Sequence, residues 1–274
     1  MRPIYAIAVA VLAAAIAVFA LIRFASKDSA PVDAPMAQGD AVTLPDMCRE
    51  IVFEQARIVA CDVDPATDDI RIAHSGPDGA PYGSVPALAA AVQGGAVPLK
   101  LAMNAGMYHA DMRPVGLLVE EGHEVSPLET AEGAGNFYLK PNGVFFIGED
   151  GRAGVMETAA FAAAKLTARY ATQSGPMLVI GGQIHPKFLP DGTSRYTRNG
   201  VGVTPDGTVV FAISRDPLSL GSFARFFRDA VDCPDALFFD GAVSSLWVDG
   251  ETIIDSGHPA GPIVAVFGRE ALTQ

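Results

Sequence analysis

The chain has 274 residues, of which 50% are hydrophobic and 18% charged, and its net charge is −12. That length can bury a substantial core, and the acidic balance excludes nucleic acid as a partner because no basic patch is available to neutralise phosphates. With 28 glycines and 20 prolines, the composition suits many short strands joined by tight turns.

Residues 1–27 read as a membrane anchor or signal segment. Ile4–Ile22 is an uninterrupted apolar run, closed by Arg23 and Lys27, and it is about long enough to cross a hydrocarbon core. It exceeds the apolar region of an ordinary signal peptide and no small-x-small cleavage site ends it, which favours an anchor over a cleaved signal. Residues 28–45 are small, polar and Pro-bearing, the composition of a flexible tether. Residues 46–274 form the expected globular domain.

Within that domain Ile51–Asp62 and Ile70–His74 read as an antiparallel pair joined around Asp64-Pro65. Ser84 caps a short helix to Val92, with Pro86 in its first turn. Leu99–Met103 is a buried strand ending at Asn104, and Val115–Glu120, Asn136–Leu139 and Gly143–Ile147 follow as strands. The Ala-rich segment 157–170 is the clearest helix. Met177–Ile180, Gly200–Thr204 and Val209–Ser214 are further strands, the last two joined by an Asp206-Gly207 turn. Phe223, Phe226 and Phe227 give Ser222–Val231 a helical apolar stripe, before a last apolar strand, Ala236–Phe239. Strands without strict alternation with helices make the class α+β: mixed, largely antiparallel sheets with a few packed helices in a single globular domain.

Of the three cysteines, Cys48 pairs with Cys61, or Cys233 pairs with one of them. No Cys-x-x-Cys spacing exists, and the five histidines (His74, His109, His123, His185, His258) are scattered without ligand spacing, so neither metal nor cofactor is expected.

The chemistry concentrates at strand ends. Ala236–Phe239 drives into Asp240-Gly241, then Ala242-Val243-Ser244-Ser245. Burying an ionised Asp without partners is costly, so Asp240 reads either as a carboxylate at the lip of a pocket or as the acceptor of an Asp-Gly turn. Asn104 ends its strand in the same way, and the two ends side by side would floor a pocket. In an acidic chain the cations near small polar loops stand out: Lys140, Arg195, Arg198 and Arg215. Arg198 lies directly before a strand, where a guanidinium can grip a phosphodiester bidentately or pair with a carboxylate. Gln173-Ser174-Gly175-Pro176 reads as a loop that approaches a ligand closely, and Lys140-Pro141-Asn142-Gly143 as a turn whose Lys can reach phosphate. Ser174 and Ser244 lack the Gly-x-Ser-x-Gly frame of a nucleophile elbow. Gly200-Val201-Gly202 lacks the third glycine of a dinucleotide fingerprint.

These blocks form an ordered set with Met103-Asn104-Ala105-Gly106, Pro114-Val115-Gly116-Leu117 and Asn136–Phe145, and over residues 48–270 the set resembles the phosphodiester glycosidase family. That family includes a lysosomal enzyme that removes N-acetylglucosamine from a sugar phosphodiester, and bacterial members linked to exopolysaccharide, which this chain resembles more. It departs from the lysosomal pattern in reading Asp240-Gly241-Ala242-Val243-Ser244 for Asp-Gly-Gly-x-Ser, and Arg198-Asn199 for Arg-Thr. The resemblance implies an extracytoplasmic hydrolase of a sugar 1-phosphodiester in a glycan. Asp240, Arg198 and Asn104 would be catalytic, with Gln173, Ser174, Gly175, Lys140, Asn142, Gly241, Ser244 and Ser245 binding substrate. Ordinary glycosidases need a second carboxyl to protonate a poor leaving group. A phosphate monoester is already a good leaving group, so one carboxylate plus a cation suffices. Asp111 and Asp216 are the weak candidates for a second carboxylate. The alternatives are a non-catalytic glycan-binding or assembly protein, suggested by Ala242-Val243, and a serine hydrolase built on Ser174 or Ser244.

Overall fold

The computed structural model describes residues 44–269; the sequence readings for the anchor and for residues 28–43 of the tether lie outside the described residues. Among the described residues no helix is long and apolar enough to cross a membrane.

The chain runs β1 (Cys48–Phe53), β2 (Ala56–Val63), β3 (Asp68–Ala73), α1 (Val85–Val92), β4 (Leu99–Asn104), β5 (Leu118–Glu120) and β6 (His123–Ser126). It continues through β7 (Gly143–Gly148), β8 (Ala153–Glu157), α2 (Thr158–Ala164), β9 (Ala168–Ser174), β10 (Met177–Ile180) and β11 (Gln183–Ile184). The last part holds β12 (Asn199–Val203), β13 (Val209–Ser214), α3 (Leu220–Arg225), one π-helical turn (Phe226–Ala230) and β14 (Asp235–Phe238). A tight helical turn at Gly241–Val243 then precedes β15 (Leu246–Val248), β16 (Glu251–Ile254) and β17 (Ile263–Gly268).

The strands build three sheets, ordered β1-β2-β13-β12-β14-β10-β11, β16-β15-β4-β17-β3 and β6-β5-β9-β7-β8. Their inner faces share one core: Val59, Phe211 and Leu237 from the first, Ile72, Met103 and Val264 from the second, Leu118, Phe145 and Tyr170 from the third. Each outer face carries its own helix. Phe223, Phe226 and Phe227 cover Ile58, Val210 and Phe238; Val85 and Leu88 of α1 cover Ala102 and Ala265; Phe161 of α2 packs with Val144 and Ala171. Central strands are therefore buried on both faces, which is why they read as continuous apolar runs rather than alternating ones. The fold is dominated by strands, and the ladders are antiparallel throughout.

Several elements follow the sequence closely. Ser84 caps α1 through the Ala87 N–H, β4 ends at Asn104, and Gly207 turns the β12–β13 hairpin at φ 93°. Four readings are corrected. Ile51–Asp62 is not one strand but a hairpin, folded at Glu54 and Gln55 with φ of 45° and 68°; the Glu54 carboxylate is fixed there by Arg225 and Ser222. β2 does not pair with β3, because the Asp64 turn passes the chain from the first sheet to the second, where β3 pairs with β17. Asn136–Leu139 is a turn closed by the Leu139 N–H on Asn136, with Asn142 Nδ2 donating to Phe137 O at 3.0 Å. The helix read over 157–170 stops at Ala164, where Lys165 turns left-handed at φ 50°; 168–174 becomes a strand between β5 and β7. Pairing on both edges outweighs the helical preference of its alanines.

Cys48 and Cys61 face each other across the β1–β2 ladder and are disulfide-bonded, which leaves Cys233 free and buried. Burial pushes the Cys233 thiol up to about 12, so it holds its proton and reacts slowly. A thiol-reactive chromophore should therefore find almost no thiol in the native protein, one per chain after denaturation without reductant, and three after denaturation with reductant. Three without reductant would rule the bridge out.

Candidate active site

The three sheets are stitched together at one rim. There β4 ends at Asn104, β9 at Ser174 and β14 at Phe238, while β12 begins at Asn199. The Asn104 amide is buried, with its Nδ2 donating to Asp240 O at 2.9 Å. Its Oδ1 accepts from Asn199 Nδ2 and from the Ser245 N–H, each at 2.9 Å. Asn199 Nδ2 also reaches Asn104 O at 2.9 Å, and the Phe239 N–H donates to Asn199 O. Ser174 Oγ donates to Phe239 O at 3.2 Å and so ties in the third sheet. The loop after β4 lies so close to β9 that a Cβ on Gly106 would sit 2.6 Å from Gln173 O.

Asp240 emerges from this stitched floor. Its carboxylate accepts the Ala242 N–H at 3.2 Å, so it does cap the local turn, as the simpler reading of Asp-Gly has it. The side chain is half-buried, with no cation partner among the described residues, and burial raises its pKa above the ordinary aspartate value, against the weaker pull of the Ala242 N–H. Tyr108 lies near enough that the Asp240 charge adds to burial in raising its phenol.

Arg198 is the one buried Arg or Lys among the described residues. Its guanidinium donates to Ser194 O at 3.1 Å and Leu218 O at 3.3 Å, and lies over the rings of Tyr196 and Phe238 at 5.3 and 5.4 Å. No carboxylate is among these partners, and burial lowers its pKa. Phe238 thus presents Asp240 two residues along the chain and supports Arg198 on its ring. Gly241 closes the same gap from the other side: a Cβ there would lie 2.6 Å from the carbonyl of Thr197, which precedes Arg198. An anionic group held by Arg198 would neutralise a charge that the protein itself leaves uncompensated.

Most of the other residues singled out in the sequence are engaged in contacts of their own, apart from Arg198 and Asp240. Gln173 is saturated internally: Oε1 accepts from Leu117 and Glu129 N–H groups at 3.0 and 2.9 Å, and Nε2 donates to Glu129 O and Thr158 Oγ1. It clamps the 117–129 segment to β9 and keeps no group for a ligand. Asn142 is buried beneath Phe137, and a Cβ on Gly175 would meet Phe137 O at 2.6 Å. Lys140 is tied to Thr130 O and Glu132, and Arg215 to Glu50. Ser244 Oγ donates to Gly241 O at 3.0 Å, and Ser245 Oγ lies against Asp255 and Ser256. Asp216 grips Arg57, which holds its carboxyl down at about 2, and Asp111 is held low by Arg113. Neither keeps a proton to give near neutral pH. Among the described residues no three His, Cys, Asp or Glu side chains gather as metal ligands would.

Sequence reading named Asn199 only as a departure from a family pattern, yet it is the hinge of the network. Its Oδ1 is buried without a partner. The signal was available in form, a polar residue opening an apolar strand, but its partner lies 95 positions away.

Residues 98–267, which include Asn104, Arg198 and Asp240, match the family model for phosphodiester glycosidase. An uncharacterized Escherichia coli K12 protein, YigE, is 31% identical over 209 residues, covering 76% of this chain and 81% of that protein. A hypothetical protein from Synechocystis shares the fold with a TM-score of 0.57 at 14% identity, over 81% of this chain; this chain spans 61% of that one. The zebrafish N-acetylglucosamine-1-phosphodiester alpha-N-acetylglucosaminidase catalytic domain, auto-inhibited by its pro-peptide, superposes with a TM-score of 0.56 at 14% identity, over 81% of this chain and 82% of that one. The family match spans the whole stitched rim, and the chain belongs to the phosphodiester glycosidase family.

Proposed function

We propose that the protein hydrolyses a sugar 1-phosphodiester, with Arg198 holding the phosphate and Asp240 facing the anomeric carbon. The observation that carries this reading is the close approach of two strand ends at Gly241 and Thr197. One leads into a buried guanidinium with no carboxylate partner among the described residues, and the other follows a carboxylate with no cation partner among them. In the reaction the bond from the anomeric carbon to the phosphate oxygen breaks, and the electron pair leaves on that oxygen. Arg198 stabilises the departing phosphate monoester. Ionised Asp240 stabilises the positive charge that grows on the sugar, and water supplies the hydroxyl of the free sugar product, its other proton passing to the released phosphate monoester or to solvent. Asn104 acts through Asp240 as a positioning residue, since its Nδ2 holds the Asp240 carbonyl.

A serine mechanism fits less well. Ser174 and Ser244 are buried and donate to backbone carbonyls, and among the described residues no base is hydrogen-bonded to either hydroxyl. In the same proposal the body lies outside the cytoplasm, acting on a cell-surface or secreted glycan and tethered by Ile4–Ile22. Support comes from the apolar run itself and from the Cys48–Cys61 bridge, since disulfides persist in oxidising compartments. The reading is tested by incubating the protein with a synthetic sugar 1-phosphodiester and with a phosphate-free glycoside of the same sugar. Free sugar should appear from the first far faster than from the second; equal rates would overturn it.

Asp240→Asn should lower kcat by about 100-fold or more, because the amide keeps the shape and loses the charge. The wild-type acid limb should lie above the ordinary aspartate range, with activity falling as Asp240 takes up its proton. The stability effect has the opposite sense. A carboxyl whose folded pKa is raised costs the fold nothing at low pH, and weakens it as pH climbs through the raised value. The Asn variant should accordingly melt no lower than wild type at neutral pH; a large drop in Tm would assign Asp240 a structural task instead.

Arg198→Lys should raise KM for the phosphodiester by about tenfold or more, since the fork geometry is lost while a charge remains. Binding of a phosphate-free glycan should change little. Equal losses on both ligands would identify Arg198 as part of the scaffold.

A further inference from the structure

A second site-like feature lies beside the C-terminal end of α1. It is a groove of about 470 Å3, within the ~300–1,000 Å3 range of small-molecule sites, and its walls include Gln93, Gly94, Pro98, Trp247, Asp249 and Thr252. Neither Asp240, Arg198 nor Asn104 lines it. Trp247 lies mid-strand in β15, opposite Ala102 of β4 and Thr252 of β16. It is half-buried, leaning on the apolar layer beneath α1 while still lining the groove. The Asp249-Gly250 turn, with φ of 49° and 99°, brings a carboxylate to the same wall. Among the described residues, the side chains of Gln93, Asp249 and Thr252 take part in no hydrogen bond or ion pair within the protein.

The lining sets the chemistry of the occupant. It contains no Lys, Arg or His, which disfavours an anion. An open indole beside an unpaired amide, carboxylate and hydroxyl suits a molecule with one C–H face and a rim of hydroxyls. We propose that the groove is a subsite for a neutral glycan, with Trp247 stacking on a sugar ring and Gln93, Asp249 and Thr252 bonding its hydroxyls. Trp247 follows Asp240 by seven positions, a reach of at most about 25 Å along the chain. A glycan seated here would therefore occupy a position distinct from Asp240, Arg198 and Asn104, none of which lines the groove.

Trp247 is the chain's single tryptophan, so emission excited selectively through tryptophan reports the surroundings of this residue. The full chain is titrated with hexasaccharides of glucose, mannose and N-acetylglucosamine. At least one should shift or quench the emission saturably. Asp249→Ala and Thr252→Val, both exposed positions, should each weaken that response several-fold, while Asp240→Asn leaves it unchanged. Absence of a saturable response to all three sugars would overturn the proposal. So would a response that survives both groove variants and disappears in Asp240→Asn, since that would seat the glycan at the reaction site only. Hydrolysis by a protein whose groove stays silent would refute the subsite and leave the catalytic reading standing.

Discussion

One buried amide links the sheets at the point where the chemistry is proposed. Asn104 takes a donor from the first sheet through Asn199, a donor from the Ser245 backbone entering β15, and gives its own N–H to the carbonyl of Asp240. Bonds of this kind are worth only about 1 kcal/mol each when made, but leaving a buried partner unsatisfied costs about 1–3 kcal/mol. The network is therefore strongly specified. Removing one member strands several others, and the backbone that carries Asp240 is fixed by groups that do not depend on a ligand.

That arrangement explains how an acidic chain keeps a usable cation. Arg57, Arg215 and Arg225 pair with Asp216, Glu50 and Glu54 on the outside of the first sheet. Arg198 is treated differently, supported by two carbonyls and two aromatic rings that hold its plane without neutralising it. Asp240 is likewise uncompensated; in the proposed reaction a phosphate would offset the charge of Arg198, while the positive charge growing on the sugar would offset that of Asp240. Gly241 permits the close approach of the two strand ends, and a side chain there would part them.

The strand ends were legible in the sequence because they break a local rule: an apolar run that stops at Asn104 or Asp240 has no packing reason to do so. The Phe223, Phe226 and Phe227 stripe was legible for the opposite reason, its period matching the face it buries. Pairing was not. Whether β3 joins β2 or β17 depends on residues nearly 200 positions apart, and the Asp64 turn is compatible with either. The 157–170 segment misled because alanines favour helix locally, while β5 and β7 decide its fate from both sides. Gln173 looked like a ligand group and is a clamp, since a side-chain amide looks the same in sequence whether its partners are substrate or backbone.

The most direct test of the central claim is a crystal structure of the Asp240→Asn protein bound to an intact sugar 1-phosphodiester. The phosphate oxygens should lie within hydrogen-bonding distance of the Arg198 guanidinium, with the anomeric carbon facing residue 240 and the Asn104–Asn199 bonds unchanged. A phosphate bound elsewhere, with Arg198 still engaged only by Ser194, Leu218 and its two rings, would contradict it.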